Sequence, residues 1–212
     1  MSDYGNLQKY QNPNPIQQAL IARFLHRLGA EFRPLDPATA LDVGCGEGFV
    51  AAALQSAGTR TRFTGVDLSS DALREAQGNT PALQLCQADA SALPFADDAF
   101  ELGVCTEVLE HLLDPARALG ELLRVCRRGA LLSVPHEPWF RLANLVRGKH
   151  LRRWGNDPEH VNNWSARGLR RFLARHGHVT LLTTSCFPWL LARVVRASSA
   201  NERSAGVERL NG

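Results

Sequence analysis

Leu41-Asp42-Val43-Gly44-Cys45-Gly46-Glu47-Gly48 is the stretch on which the reading of this chain turns. A short apolar run, Thr39–Val43, leads straight into three glycines at alternate positions, and the apolar segment Phe49–Ala57 follows with helical spacing. A strand that passes through a glycine turn into a helix gathers main-chain N–H groups at one point, where glycine lets the backbone approach a ligand closely. The glycines lack the G-x-G-x-x-G spacing of the dinucleotide fingerprint, which disfavours a nicotinamide-dependent dehydrogenase.

Outward from this turn the chain alternates. Arg62–Val66 reads as a strand, Ser70–Gln77 as a helix, Leu83–Cys86 and Glu101–Cys105 as strands. A helix is predicted from about Val108, taking in Pro115–Cys126, and Ala130–Val134 as the next strand. Beyond a polar and aromatic insertion, 136–164, come a helix over Ala166–His176 and a strand over Val179–Thr184; Pro188–Val195 fits a strand or a short helix. Upstream, Ile16, Leu20, Ile21, Phe24, Leu25 and Leu28 recur at helical spacing and Gly29 stops them. The polar arm before them carries Tyr4, Tyr10 and Asn12, and the tail 197–212 reads as disordered. Alternating β and α units imply an α/β fold, with a mostly parallel sheet covered on both faces and ligands at the carboxyl ends of its strands.

The 212 residues suit one domain, and the net charge of +3 is too small to imply nucleic acid by itself; no DNA partner is expected. Five cysteines, an odd number with no C-x-x-C pair, read as buried thiols in a reducing compartment, and a cytoplasmic location is expected. Asp67 follows the glycine turn at the distance expected of an acid that binds a ribose diol, since two carboxylate oxygens can take both hydroxyl protons. Asp89, after the third strand, can accept from an adenine amino group; loop or helix-cap duty is the plain alternative for both acids.

LDVGCGEG, GVDLS, QADASALPF, DDAFELGVCTEVLEHL and RVCRRGALLSVP together resemble the class I S-adenosylmethionine-dependent methyltransferases, of the ubiquinone-pathway O-methyltransferase-like or type 11 group, over residues 39–186. The resemblance implies a Rossmann-like three-layer sandwich with seven strands, the last antiparallel. It implies a methyltransferase domain over 39–196, preceded by an arm and helix (1–38) that cap the cofactor site. It places Gly44, Gly46 and Gly48 along the methionine portion, Asp42 near the amino group, Asp67 on the ribose and Leu68 against the adenine. Asp89 with Ala90 would bind the adenine edge, and Thr106 would border the sulfonium.

On the predicted helix, Glu107, Glu110 and His111 share one face, and two carboxylates with an imidazole can hold a divalent cation. ExxEH looks like the metal-binding pattern of ubiquinone-pathway O-methyltransferases and of small-RNA 3′-end 2′-O-methyltransferases, and His160 can match the latter's further histidine. A magnesium, manganese or zinc ion would activate and orient an acceptor hydroxyl. Without a metal, Glu107 contacts cofactor or acceptor, Glu110 pairs with a nearby arginine, and His111 serves as base or as a packed histidine; His136, at another ligand-facing edge, is a second catalytic candidate or a loop histidine before Pro138. The insertion, with Trp139, Arg141, Arg147, Lys149, Arg152, Arg153 and Trp154, reads as a lid over the acceptor, with peripheral membrane contact as a lesser role. The expected partner is a small-molecule acceptor, with oxygen favoured. The absence of an RNA module or long basic tract argues against RNA. A cofactor-binding protein without turnover is the non-enzymatic rival, and the oligomeric state is left open.

Overall fold

The computed structural model describes residues 13–137, 139 and 160–196. Its first helix, α1 (Pro15–Phe32), opens as the sequence dictates: Asn14 Oδ1 accepts from the N–H groups of Ile16 at 2.9 Å and Gln17 at 3.3 Å, and Pro15 occupies a position whose N–H has no helical partner. The strands β1 (Thr39–Val43), β2 (Arg62–Asp67), β3 (Gln84–Gln87), β4 (Leu102–Thr106) and β5 (Ala130–Pro135) are parallel. Between them lie α2 (Phe49–Ser56), α3 (Ser70–Asn79) and α4 (Pro115–Val125). After α5 (Ala166–Leu173), β6 (Gly177–Thr183) and β7 (Trp189–Arg196) complete a seven-stranded sheet of order β3-β2-β1-β4-β5-β7-β6. β7 runs antiparallel to both of its neighbours, as the resemblance implies, and the strand alternative for its sequence is the one realised.

Every residue of β4 and β5 is buried, which is why these strands read as continuous apolar runs. One face of the sheet is covered by Leu119, Leu122 and Leu123 of α4 with Leu169 and Leu173 of α5. The other is covered by Phe24, Leu28 and Phe32 of α1 with Val50, Ala51 and Leu54 of α2. Removing each of these leucine, valine and phenylalanine side chains from water is worth about 1.5–3 kcal/mol. Phe24 meets Trp189 of β7 at 5.3 Å between ring centroids, and Phe32 stacks on Phe63 of β2 at 5.4 Å. α1 is thus a layer of the sandwich, and residues 1–12, the arm of the predicted cap, lie outside the described residues. So do the tail and all of 140–159, which hold most of the predicted lid.

One predicted element is corrected. No helix starts at Val108: residues 107–114 form an irregular turn, and α4 begins only at Pro115. Asp114 Oδ1 caps it by accepting from Arg117 N at 3.0 Å. Asp-Pro is a helix-start signal, because proline disfavours the helical conformation in the residue before it. α5 also ends earlier than predicted, at Leu173.

Candidate functional site

The chain runs from β1 to β2 and β3 on one side and returns to β4 on the other, so the order reverses between β1 and β4 and opens a crevice at their carboxyl ends. The glycine turn sits there. Gly44, Gly46 and Gly48 all have positive φ, of 71°, 51° and 82°. At Gly44 a Cβ would lie 2.2 Å from Val108 Cγ2, so no other residue fits. The N–H groups of Gly44 and Cys45 both donate to Val66 O, at 2.7 and 3.0 Å, which ties the turn to the end of β2.

Asp67 reinforces that tie. Its Oδ2 accepts from Gly46 N at 2.9 Å and its Oδ1 from Ser69 N at 2.8 Å. Each oxygen keeps further acceptor capacity, so the carboxylate is positioned by main chain while remaining able to take a diol. Beside it Leu68 is 69% exposed, an apolar surface next to a polar anchor. Asp89 Oδ1 accepts from both the N–H and the hydroxyl of Ser91 at 2.7 Å, and these bonds hold its carboxyl below the usual range. Asp89 is therefore ionised in a local turn, with no bond on Oδ2 among the described residues. Ala90 packs partly against the core.

Asp42 is 1% exposed, and neither of its carboxylate oxygens has a hydrogen-bond partner among the described residues. Burial, and then the charge of Asp67, push its pKa up to about 7. Thr106 ends β4, and with Gly44, Cys45, Glu47, Phe49, Val50 and Glu107 it lines a small pocket between the glycine turn and the post-β4 turn. Cys45, Glu47, Phe49 and Val50 were not picked out by sequence; their signal is their contiguity with the glycine turn.

The post-β4 turn divides the predicted metal set. Glu107 takes a left-handed φ of 57° and donates its N–H to Ser133 O at 3.0 Å, which places it with the pocket residues. Glu110, His111 and His160 come together instead, with one ligand atom of each within 4.8 Å of the others. The imidazoles of His111 and His160 lie 5.0 Å apart, edge to face, and Glu110 is buried. The chain after His160 is fastened to this turn: Val161 N and Asn162 N donate to Glu110 O at 2.8 and 2.9 Å, and Asn162 Nδ2 donates to Leu109 O at 3.1 Å and Leu112 O at 2.6 Å. Asn162 had no distinguishing sequence signal. His136, just past β5, donates its N–H to Pro188 O at 2.9 Å and bridges to Trp164. Its Nδ1 is buried without a partner among the described residues, and burial lowers its pKa, so the ring is neutral at pH 7.

Against known proteins, the family profile described as "Methyltransferase domain" matches residues 41–134. An uncharacterized methyltransferase of Mycobacterium leprae is 32% identical over 145 residues, which are 65% of this chain and 48% of that protein. A malonyl-[acyl-carrier protein] O-methyltransferase of Pseudescherichia vulneris is 33% identical over 126 residues, 59% of this chain and 48% of that one. The chain thus spans about half the length of these curated relatives. The magnesium protoporphyrin IX methyltransferase of Synechocystis PCC 6803, solved with bound S-adenosylhomocysteine, superposes with a TM-score of 0.68 at 18% identity, covering 90% of this chain and 92% of that one. A protein from Pyrococcus horikoshii OT3 superposes equally well, with a TM-score of 0.68 at 18% identity over 90% of this chain and 96% of that one.

The methyltransferase-domain profile and these relatives support a class I S-adenosylmethionine-dependent methyltransferase, and the solved structures show its fold. Asp67, the apolar Leu68, the ionised Asp89 and the glycine turn succeed one another around the β1–β3 edge of the crevice, and the Asp42 carboxyl is buried beside them without a hydrogen-bond partner among the described residues. No helix among the described residues is long and apolar enough to cross a membrane.

Proposed function

We propose that the protein transfers a methyl group from S-adenosylmethionine to a hydroxyl of a small molecule. The observation that carries the reading is the pairing, across one crevice, of the glycine-turn cradle with the acid and imidazole groups that follow β4 and β5. S-adenosylmethionine supplies an electrophilic methyl on a sulfonium. The chain's residues do the rest. Asp67, Leu68 and Asp89 with Ala90 hold the nucleoside. Gly44, Gly46 and Gly48 admit the methionine portion, and Asp42 faces its ammonium. Thr106 and Glu107 line the pocket where the sulfonium belongs. His136, kept neutral by burial, takes the acceptor hydroxyl proton as the oxygen–carbon bond forms and the carbon–sulfur bond breaks, its electron pair leaving with sulfur. A relative whose name specifies an O-methyltransferase supports oxygen as the acceptor atom.

The gathering of Glu110, His111 and His160 favours a second, compatible reading in which a divalent cation orients the hydroxyl, with His111 as ligand rather than base. Two imidazoles and one carboxylate suit zinc or manganese better than magnesium, which prefers oxygen ligands. Glu107, on the pocket side of the turn, drops out of the ligand set.

The test is transfer of labelled methyl to a panel of phenols and catechols. Activity that falls about a hundredfold in His136→Asn, with S-adenosylhomocysteine affinity unchanged, supports His136 as base. Methylation of amines alone would overturn the hydroxyl assignment. EDTA treatment that leaves the rate intact would remove the cation.

A further inference from the structure

We propose that the groove between α5 and the end of β6 binds an anionic end of the methyl acceptor, a phosphate or carboxylate held by Arg167 and Arg170. This rests on the reading above that the chain methylates a small molecule at the Thr106 edge.

The charge pattern is the first observation. Between His160 and Arg196 the chain contains six arginines and no aspartate or glutamate. Arg196 pairs with Asp98, but Arg167 and Arg170 are exposed and make no ion pair among the described residues. On α5 they are three residues apart and so face the same way. The groove they line has Ala166 and Leu182 as its apolar part and Thr183 and Thr184 as hydroxyl-bearing neighbours. The Thr183 hydroxyl is engaged with Ser185, which leaves the two guanidinium groups and Thr184 as the donors toward an anion. Guanidinium forks match the geometry of phosphate and carboxylate oxygens.

The second observation is position. β6 and β5 are both antiparallel to β7, so β6 ends at the same edge of the sheet as the cofactor strands. The register makes this specific. Thr106 of β4 pairs with Ser133 of β5, Ser133 with Leu191 of β7, and Leu191 with Thr183 of β6. Thr106 and Thr183 thus lie in one row, three strand spacings or roughly 14 Å apart. Trp164 and His136, joined by a bridge, lie between the two ends of this row. An acceptor reaching from the sulfonium position to the groove therefore carries its anionic group roughly 14 Å from the methylated atom, across that three-strand span. The geometry selects an elongated acceptor rather than a compact one.

The experiment compares hexyl phosphate with hexanol, by calorimetry on the full chain saturated with S-adenosylhomocysteine. The expected result is a preference for the phosphate of about tenfold or more, as a charge-assisted fork gives. The preference should disappear in Arg167→Ala/Arg170→Ala, while S-adenosylhomocysteine affinity stays the same and reports an intact fold. Arg171→Ala/Arg175→Ala, one on α5 and one in the turn after it and both outside the groove lining, should keep it. Equal binding of the two probes overturns the proposal. So does a preference that survives the first double substitution, or one that both double substitutions remove alike, which would mark a general charge effect. Arginine-dependent capture by phosphatidylglycerol vesicles without any preference for soluble hexyl phosphate also overturns it, in favour of a lipid surface. Failure of the wild-type chain to bind S-adenosylhomocysteine sinks the methyltransferase reading itself, whereas binding of that nucleoside with no phosphate preference sinks only the groove.

Discussion

Asp42 and Asp67 are both acids at the end of a parallel strand, yet they do different things. Asp67 is tied by two main-chain N–H groups and stays on the ligand side, whereas Asp42 is buried with no such bonds and its pKa is pushed up to about 7. The folded pKa lies above the ordinary value of 3.8, so the folded state holds a proton that the unfolded chain has released. The unliganded protein therefore loses stability as pH rises from about 4 to about 7, and the penalty is full above that. Asp42→Asn should raise the Tm by several degrees at pH 8 and by little at pH 4, measured by thermal denaturation without ligand. The converse follows for binding. A ligand ammonium at Asp42 favours the ionised form, so S-adenosylhomocysteine binding near pH 7 should release protons. The binding enthalpy should then differ between phosphate and Tris buffers in the wild type, and not through this group in the asparagine variant. Equal enthalpies in the wild type would separate Asp42 from the amino group.

At the scale of elements, the turn from Glu107 to Asp114 decides which candidate site residues come together. As a helix it would have put Glu107, Glu110 and His111 on one face; as a turn it sends Glu107 to the pocket and the other two toward His160. Helical spacing was the wrong period for this stretch because Asp114-Pro115 starts the helix afresh. Asp114→Ala should remove the cap bond on Arg117 N and lower stability by about 1 kcal/mol in urea denaturation, while the fold persists. No change would mean that Pro115 alone sets the helix start. The strands were legible because apolar runs buried on both faces leave little ambiguity, and the glycine turn because positive φ admits few other residues. The convergence of His160 and Asn162 on residues 109–112 was not fully legible, since it joins segments about fifty residues apart through main-chain carbonyls that carry no side-chain signature. The matching histidine came only from resemblance, and Asn162 from neither route.

Over the whole molecule the proposed function divides the sheet into two tasks: on that reading β1, β2 and β3 carry the nucleoside side and β4, β5, β7 and β6 the acceptor side, with the glycine turn against Val108 as the seam. Asn162 joins two parts of the acceptor side and touches nothing of the nucleoside side among its recorded bonds. Asn162→Ala should therefore raise the acceptor KM or lower kcat about tenfold, the loss of one to two hydrogen bonds, with S-adenosylhomocysteine affinity unchanged. A parallel loss of nucleoside affinity would show that the two sides are one cooperative unit.

The most direct test of the central claim is calorimetric titration of the folded protein with S-adenosylhomocysteine, with NAD as control. Saturable binding of the nucleoside but not of NAD is predicted, weakened about tenfold or more in Asp67→Ala, where the diol loses a charged acceptor. A folded protein that binds neither, or binds NAD instead, would contradict the account.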